Sequence, residues 1–377
     1  MTNRSLRIAV VACTAFALAG AAACGSSSRT VKTGRVEKPK LPPVDPDALV
    51  QFDSGMRALR LGGPEALERA KPRLSRAVEL DGKLWEGWHN LGVIYYAEGD
   101  DDAAASAFGN ALDINPAHTP ALLARAEAHR RAGEYKAARE DYKTAIARDE
   151  ENVDTHVRYA SLLRVEGRYD DALDAAREAL RQANAPRVFV ELGMIYLAQG
   201  RDELAELVLK KALAADDNQP AAWNALALVS MARGKDQLAF NQFDKATSLD
   251  PTFSDARFNK ASVLMAAGDY AKAKAELSAV VKQSPEDWGA HVALGVAQRG
   301  EGQFGRANTT WEDVVKRAPK RSRARADALF NLAVLAMDFG DRDAAQARAA
   351  LDRYLLNAPK RHPKRKEAQD RVKELGQ

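Results

Sequence analysis

Large and small apolar residues alternate with polar ones at fixed offsets along most of this chain. The pattern is complete between Trp88 and Pro116. Its large members are Trp88, Leu91, Tyr95 and Phe108, and its small members are Gly92, Ala104 and Ala111. Residues three or four positions apart share one face of an α-helix, so the pattern predicts two short helices that meet where the side chains are small.

The same pattern recurs with a period near 34 residues. Glycines stand at Gly99, Gly133, Gly167, Gly200, Gly234, Gly268, Gly302 and Gly340, and an alanine follows each one five residues later. Only glycine readily adopts the left-handed conformation that ends a helix, so each glycine predicts the end of a first helix. One hairpin cannot bury its apolar face, so the hairpins are expected to stack on their neighbours.

This spacing resembles the tetratricopeptide repeat (TPR) signature, and the residues from Trp88 to Pro116 fill it completely. The resemblance covers residues 48 to about 360. It implies an all-α fold, an α-solenoid (superhelix) of about nine TPR helical hairpins. We expect the TPR array over residues 47–360 and a basic capping helix over residues 361–377. The first hairpin carries an insertion at "GGP", the fourth is one residue short at "QANAPR", and "KRSRARAD" adds about four residues before the ninth. The insertions leave room for a bend or a break between sub-arrays.

The resemblance also implies a concave groove lined by the fifth, ninth and twelfth residues of each first helix. Carried over, the predicted partner-binding residues are Val190, Met194, Leu197, Asn224, Leu228, Met231, Phe258, Met265, Val296, Phe330 and Met337. The same rule places His89, Glu127, Arg130 and Arg299 at groove positions. An apolar, methionine-rich groove suits a partner helix or strand. The alternative is that these side chains are ordinary core between neighbouring first helices.

The first residues predict export. Two arginines precede an apolar run from Ile8 to Ala23, which is too short to span a membrane and suits a signal peptide over residues 1–23. The following "AGAAACGSSS" resembles the lipobox of bacterial lipoproteins, although Ala21 stands where that family usually has Leu. The resemblance implies a lipid-modified Cys24 and a flexible tether over residues 24–46. Cleavage without lipidation and an uncleaved anchor are the alternatives.

Motifs for catalysis are missing from the sequence. Both cysteines, Cys13 and Cys24, lie in the first 24 residues, and the six histidines form no metal-ligand or nucleophile pattern. The glycines mark hairpins and form no phosphate loop. We therefore expect no enzyme, no metal, no cofactor and no small-molecule substrate. Residues 305–377 carry 17 basic and 10 acidic residues, but no aromatic residues interleave in the basic runs, so nucleic acid is not expected.

These features together predict a scaffold or assembly lipoprotein on the periplasmic face of the outer membrane. The chain resembles the class that includes secretin pilot proteins, β-barrel assembly subunits and repeat lipoproteins of gliding and pilus machines. Its expected partners are envelope proteins of such a machine, with motility as the first hypothesis. The alternative is a regulator that binds peptidoglycan enzymes or cell-wall glycan through the basic C-terminal region.

Overall fold

The computed structural model describes residues 43–62, 65–319, 322–339, 344–358 and 362–375. The predicted signal peptide, Cys24 and most of the tether lie outside these residues, as does Gly340. Within them the chain forms 19 α-helices that follow one another as helical hairpins. The all-α prediction of repeated TPR hairpins is therefore confirmed.

The helices fall into two compact units that divide between Gln182 and Ala183. Unit 1 contains α1 (Pro46–Leu61), α2 (Ala66–Leu80), α3 (Trp85–Ala97), α4 (Asp101–Ile114), α5 (Thr119–Ala132), α6 (Tyr135–Arg148), α7 (Val153–Val165) and α8 (Tyr169–Gln182). The division falls within the shortened "QANAPR" stretch.

Unit 2 has the same hairpin pattern and one additional helix. It contains α9 (Pro186–Ala198), α10 (Asp202–Ala215), α11 (Pro220–Ala232), α12 (Asp236–Leu249), α13 (Ser254–Ala266), α14 (Tyr270–Gln283), α15 (Trp288–Gly300), α16 (Phe304–Arg317), α17 (Arg323–Phe339), α18 (Ala344–Asn357) and α19 (Arg365–Glu374). In each unit a second helix packs on its own first helix and on the first helix of the next hairpin. Neighbouring first helices also touch, as α9 does with α11 and α15 with α17.

Local chemistry explains where the helices begin and end. Asp100 caps α4 by accepting a hydrogen bond from the backbone N–H of Ala103, and Asp101 and Asp102 follow in the first turn, where carboxylates are favoured. Proline occupies the first turn of α1, α5, α9 and α11, where its missing N–H costs nothing. The hairpin glycines from Gly99 to Gly302 all have φ between +66° and +80°, which confirms their predicted role.

The close approach of paired helices rests on glycines that face bulky side chains. A Cβ on Gly92 would lie 2.6 Å from the Phe108 ring, and one on Gly193 would lie 2.6 Å from Leu209. The alanines of the second helices, such as Ala104 and Ala205, are completely buried. The large-and-small alternation in the sequence is therefore an interlocking contact within each hairpin.

No helix in the described part of the chain is both long and apolar enough to cross a membrane.

Candidate functional site

Five first helices of unit 2 carry the predicted groove residues of that unit. We call the residues at the fifth, ninth and twelfth positions of the repeat pattern on these helices the groove face. These positions are Val190, Met194 and Leu197 on α9; Asn224, Leu228 and Met231 on α11; Phe258, Ser262 and Met265 on α13; Val292, Val296 and Arg299 on α15; and Phe330, Val334 and Met337 on α17. Apart from Phe330 and Val334, all of them are half-buried.

The half-buried apolar side chains contact core clusters of their own unit. Met194 packs against the cluster that contains Leu209 and Leu226, and Met231 packs against the one that contains Phe243. Each keeps part of its surface open to solvent. A face of this kind is apolar without being core, which is what a surface for an apolar partner requires.

Phe330 departs from the groove prediction. Its side chain is only 6% exposed, because the Tyr354 ring packs edge-on against it with centroids 5.5 Å apart. The ammonium of Lys364, next to α19, lies 5.4 Å from the Phe330 ring centroid. Phe330 is therefore a core residue of the last hairpin, and the expectation that its side chain lines an open groove is corrected.

His89 in unit 1 is likewise a core residue, although the family rule places it in the groove. Its ring is 7% exposed and lies against Phe108 and His118, with centroid distances of 5.5 and 4.9 Å. Burial and the nearby His118 lower the pKa of His89 to about 4. The ring is therefore neutral at physiological pH and acts as an aromatic packing group.

The two uncharged polar residues of the groove face have partners inside unit 2. The Asn259 amide donates to Oδ1 of Asn224 at 3.0 Å, which joins α13 to α11. The Ser262 hydroxyl donates to the carbonyl oxygen of Phe258 at 3.1 Å. These bonds give both side chains a partner within unit 2, so they leave the apolar character of the face intact.

The equivalent positions of unit 1 hold a charged network that the sequence analysis did not predict. Arg130 Nε donates to Oε2 of Glu127 at 2.9 Å, and the Tyr142 hydroxyl donates to the same oxygen at 3.2 Å. Burial opposes the ionisation of Glu127, but Arg130 and the Tyr142 hydroxyl outweigh it, so the pKa of Glu127 lies below its usual value. The i,i+3 spacing of Glu127 and Arg130 could have indicated their pairing. Tyr142 comes from the second helix, and its contribution depends on tertiary packing.

A metal ion in the described ranges would require ligand side chains in a suitable geometry. No three His, Cys, Asp or Glu residues there are arranged to hold a metal ion. The histidines make structural contacts. His156 Nε2 lies 2.9 Å from the carbonyl oxygen of Glu150, and His362 Nδ1 lies 2.6 Å from the Tyr354 hydroxyl.

The basic C-terminal region, residues 305–377, is partly neutralised by nearby carboxylates. Arg317 lies within 3.3 Å of both Glu286 and Asp313, and Arg353 lies 3.1 Å from Glu312. Five basic residues of the same region, at 320, 321, 342, 360 and 361, are outside the described residues. The described part of this region therefore presents a mixed-charge surface.

Comparison with known families agrees with this geometry. Models described as tetratricopeptide repeat match residues 85–118, 123–186 and 163–229. A further model, the cytochrome c-type biogenesis protein H TPR domain, matches residues 198–325. The chain is a TPR protein.

Two curated proteins resemble parts of this TPR protein. The type IV pilus assembly protein PilF of Pseudomonas aeruginosa is 30% identical over 137 residues, which cover 36% of this chain and 54% of PilF. Anaphase-promoting complex subunit 3 of Schizosaccharomyces pombe is 26% identical over 144 residues, which cover 37% of this chain and 21% of that protein. The chain thus spans about half of PilF and about a fifth of the yeast subunit.

A solved structure extends the comparison to most of the TPR array. The human IFIT1 dimer with PPP-AAAA aligns with a TM-score of 0.56 and 18% identity, and it covers 88% of this chain and 86% of that one. At this identity the likeness shows the fold alone. TPR arrays are protein-interaction folds, so proteins are the class of partner that this fold indicates.

Proposed function

We propose that this TPR protein is an assembly scaffold of the bacterial envelope that binds an apolar segment of a partner protein on the groove face of unit 2. The half-buried apolar side chains of Met194, Leu228, Met231 and Met265 carry this proposal. Methionine is flexible and polarisable, so such a face can adapt to a helix or strand whose apolar side chains would otherwise contact water.

The envelope location is supported by the N-terminal sequence. The signal-like run of residues 8–23 and the lipobox-like cysteine lead us to propose lipid modification of Cys24 and a periplasm-facing position at the outer membrane. PilF, which is 30% identical over the matched region, is described as a type IV pilus assembly protein. That resemblance supports a pilus, motility or secretion machine as the source of the partner.

The basic C-terminal region supports a second candidate function, the binding of peptidoglycan enzymes or cell-wall glycan. Its sequence carries an excess of seven positive charges over residues 305–377. The ion pairs of Arg317 and Arg353 reduce the charge available for a polyanion in the described part. We therefore favour the groove face. The two candidates differ in salt dependence, because apolar binding tolerates salt and polyanion binding is weakened by it.

The proposal is tested by placing a charge on the face. The carboxylate introduced by Met231→Glu would be buried by the partner without a counter-charge, which would cost much of the binding free energy. We expect in-cell photo-cross-linking from an amino acid introduced at Ser262 to capture a protein in the wild type. In the Met231→Glu background that capture should fall at least about tenfold, which corresponds to ~1.4 kcal/mol.

Leu238→Glu is the matched control. Leu238 is 44% exposed on α12, the second helix of the same hairpin, so this variant introduces the same charge on the same hairpin away from the groove face. It should cross-link like the wild type. Thermal unfolding must show that both variants are folded. Equal capture in the two variants, or unfolding by Met231→Glu alone, would identify the face as core packing and contradict the proposal.

A further inference from the structure

Arg299 is the one charged residue of the groove face. It lies on the twelfth position of α15, and the repeat spacing puts Met265 and Met337 at the equivalent positions of the neighbouring first helices. Its side chain is half-buried. Its guanidinium makes no hydrogen bond or ion pair with any residue in the described ranges.

Other arginines at the same repeat position do have internal partners. Arg130 on α5 pairs with Glu127, three residues earlier. Arg164, at the same position of α7, donates from Nη2 to the Ser161 hydroxyl at 3.1 Å.

The sequence around Arg299 explains the difference. The residues three and four positions before it are Val296 and Gly295, neither of which can pair with a guanidinium. The uncharged polar residues of the same face, Asn224 and Ser262, each have a hydrogen-bond partner within unit 2. Arg299 therefore presents the only unmatched charge of the groove face.

An unmatched cation on an apolar face restricts what can cover that face. A purely apolar occupant would remove water from the guanidinium without replacing its hydrogen bonds, which is unfavourable. A carboxylate replaces them well, because its two oxygens match the planar N–H groups of arginine in a paired geometry. Partial burial strengthens such a pair relative to an exposed surface ion pair.

We propose that the segment bound on the groove face carries an aspartate or glutamate among its apolar residues, and that this carboxylate pairs with Arg299. The inference rests on the proposed function of the face, and it adds the chemistry of the partner. Apolar positions supply contact area, and the Arg299 pair sets the register and excludes segments that present a lysine or arginine at that point.

The probe is a phage-displayed library of random peptides, selected against the full chain purified in mild detergent. Peptides displayed on phage by their C-terminal ends carry no free terminal carboxylate, so they report side-chain carboxylates alone. Parallel selections use Arg299→Met, Met231→Glu and the control Arg306→Met. Arg306 is an exposed arginine on α16 of the same hairpin, so its replacement removes an equal charge away from the face.

We expect the wild type and Arg306→Met to select apolar peptides with an acidic residue at a constant offset. Exchange of that residue for its amide should weaken binding to the wild type about tenfold and should change binding to Arg299→Met little. A peptide with lysine in place of the acidic residue should bind the wild type weakly, and its binding should be restored in the Arg299→Glu variant. A merely structural role of Arg299 would not produce this restoration.

The outcomes separate this inference from the function on which it rests. Peptides that need Met231 but show no acid preference and bind Arg299→Met equally would refute the Arg299 pairing and leave the groove intact. Peptides that bind Met231→Glu as well as the wild type would refute both, as would a selection that returns no binding peptide.

Discussion

The contact between a glycine and a bulky ring sets how closely the two helices of a hairpin approach. A Cβ on Gly295 would lie 2.3 Å from Nε1 of Trp311, and this nitrogen donates to the carbonyl oxygen of Val292 at 3.0 Å. Trp311 is completely buried and has no room to move. Gly295→Ala should therefore lower the free energy of unfolding by about 1–3 kcal/mol through overpacking.

Gly305→Ala is the control for this prediction. Gly305 lies in α16, and a Cβ there would meet nothing within 4 Å. Alanine is the better helix former, so this variant should leave the thermal midpoint unchanged or raise it slightly. A Gly295→Ala protein as stable as Gly305→Ala would show that the helices of this hairpin separate at little cost.

His89 gives a second prediction, on pH dependence. Its folded pKa of about 4 lies below the ordinary 6.5, so the unfolded chain binds the proton first as the pH falls. The stabilising contribution of the neutral ring is therefore complete above pH 6.5 and is lost as the pH falls towards 4. At about pH 5 the loss should amount to ~2 kcal/mol.

The measurement compares thermal unfolding of the wild type and His89→Leu at about pH 7.5 and pH 5. His89 Nδ1 has no hydrogen-bond partner within the described residues, so leucine removes the titration and leaves no polar group unsatisfied. The wild type should lose more stability on acidification than the variant. An equal loss in the two proteins would mean that other groups cause the pH dependence of this region.

At the scale of helices, the 34-residue spacing was enough to predict the hairpins. Helix ends and close helix contacts depend on local choices, such as a left-handed glycine or a small residue opposite a ring. The burial of Phe330 could not be predicted in this way, because it depends on α18 and on Lys364 beside α19. The contacts of Glu127 could not be predicted for the same reason, because the Tyr142 side chain comes from another helix.

The last helix, α19, contacts α18 and offers a prediction at this scale. Ala368 on α19 is completely buried, and His362 just before the helix contacts the Tyr354 hydroxyl. Ala368→Glu would bury a carboxylate and should release α19, so that amides of the last hairpin exchange hydrogen faster. Amides of unit 1 should be unaffected, because repeat arrays are coupled chiefly between neighbours.

Gln369→Glu tests whether burial is the cause. Gln369 is exposed on the same helix, so this variant adds the same charge one residue away without burying it. Its hydrogen exchange should match that of the wild type. Increased exchange in both variants would point to charge on α19, and no increase in either would mean that α19 does not protect the last hairpin.

At the scale of the whole molecule, the proposed anchor and the folded units are separate in the sequence. The proposed lipid site, Cys24, precedes the first described helix, which begins at Pro46. The residues between them carry Gly, Ser, Pro and basic side chains, a composition typical of a flexible tether. Membrane attachment should therefore depend on Cys24 and folding should not.

We expect Cys24→Ala to move the protein from the membrane fraction to the soluble fraction while its far-ultraviolet circular dichroism stays that of the wild type. Several acyl chains on one cysteine would give stable anchoring, whereas the basic residues of the proposed tether alone would contribute only a salt-sensitive attraction. Cys13→Ala, which changes the other cysteine of the signal region, is the control and should remain at the membrane. If Cys24→Ala stays bound after a high-salt wash, lipidation at this cysteine is not what holds the protein, and an uncleaved N-terminal anchor becomes the better explanation.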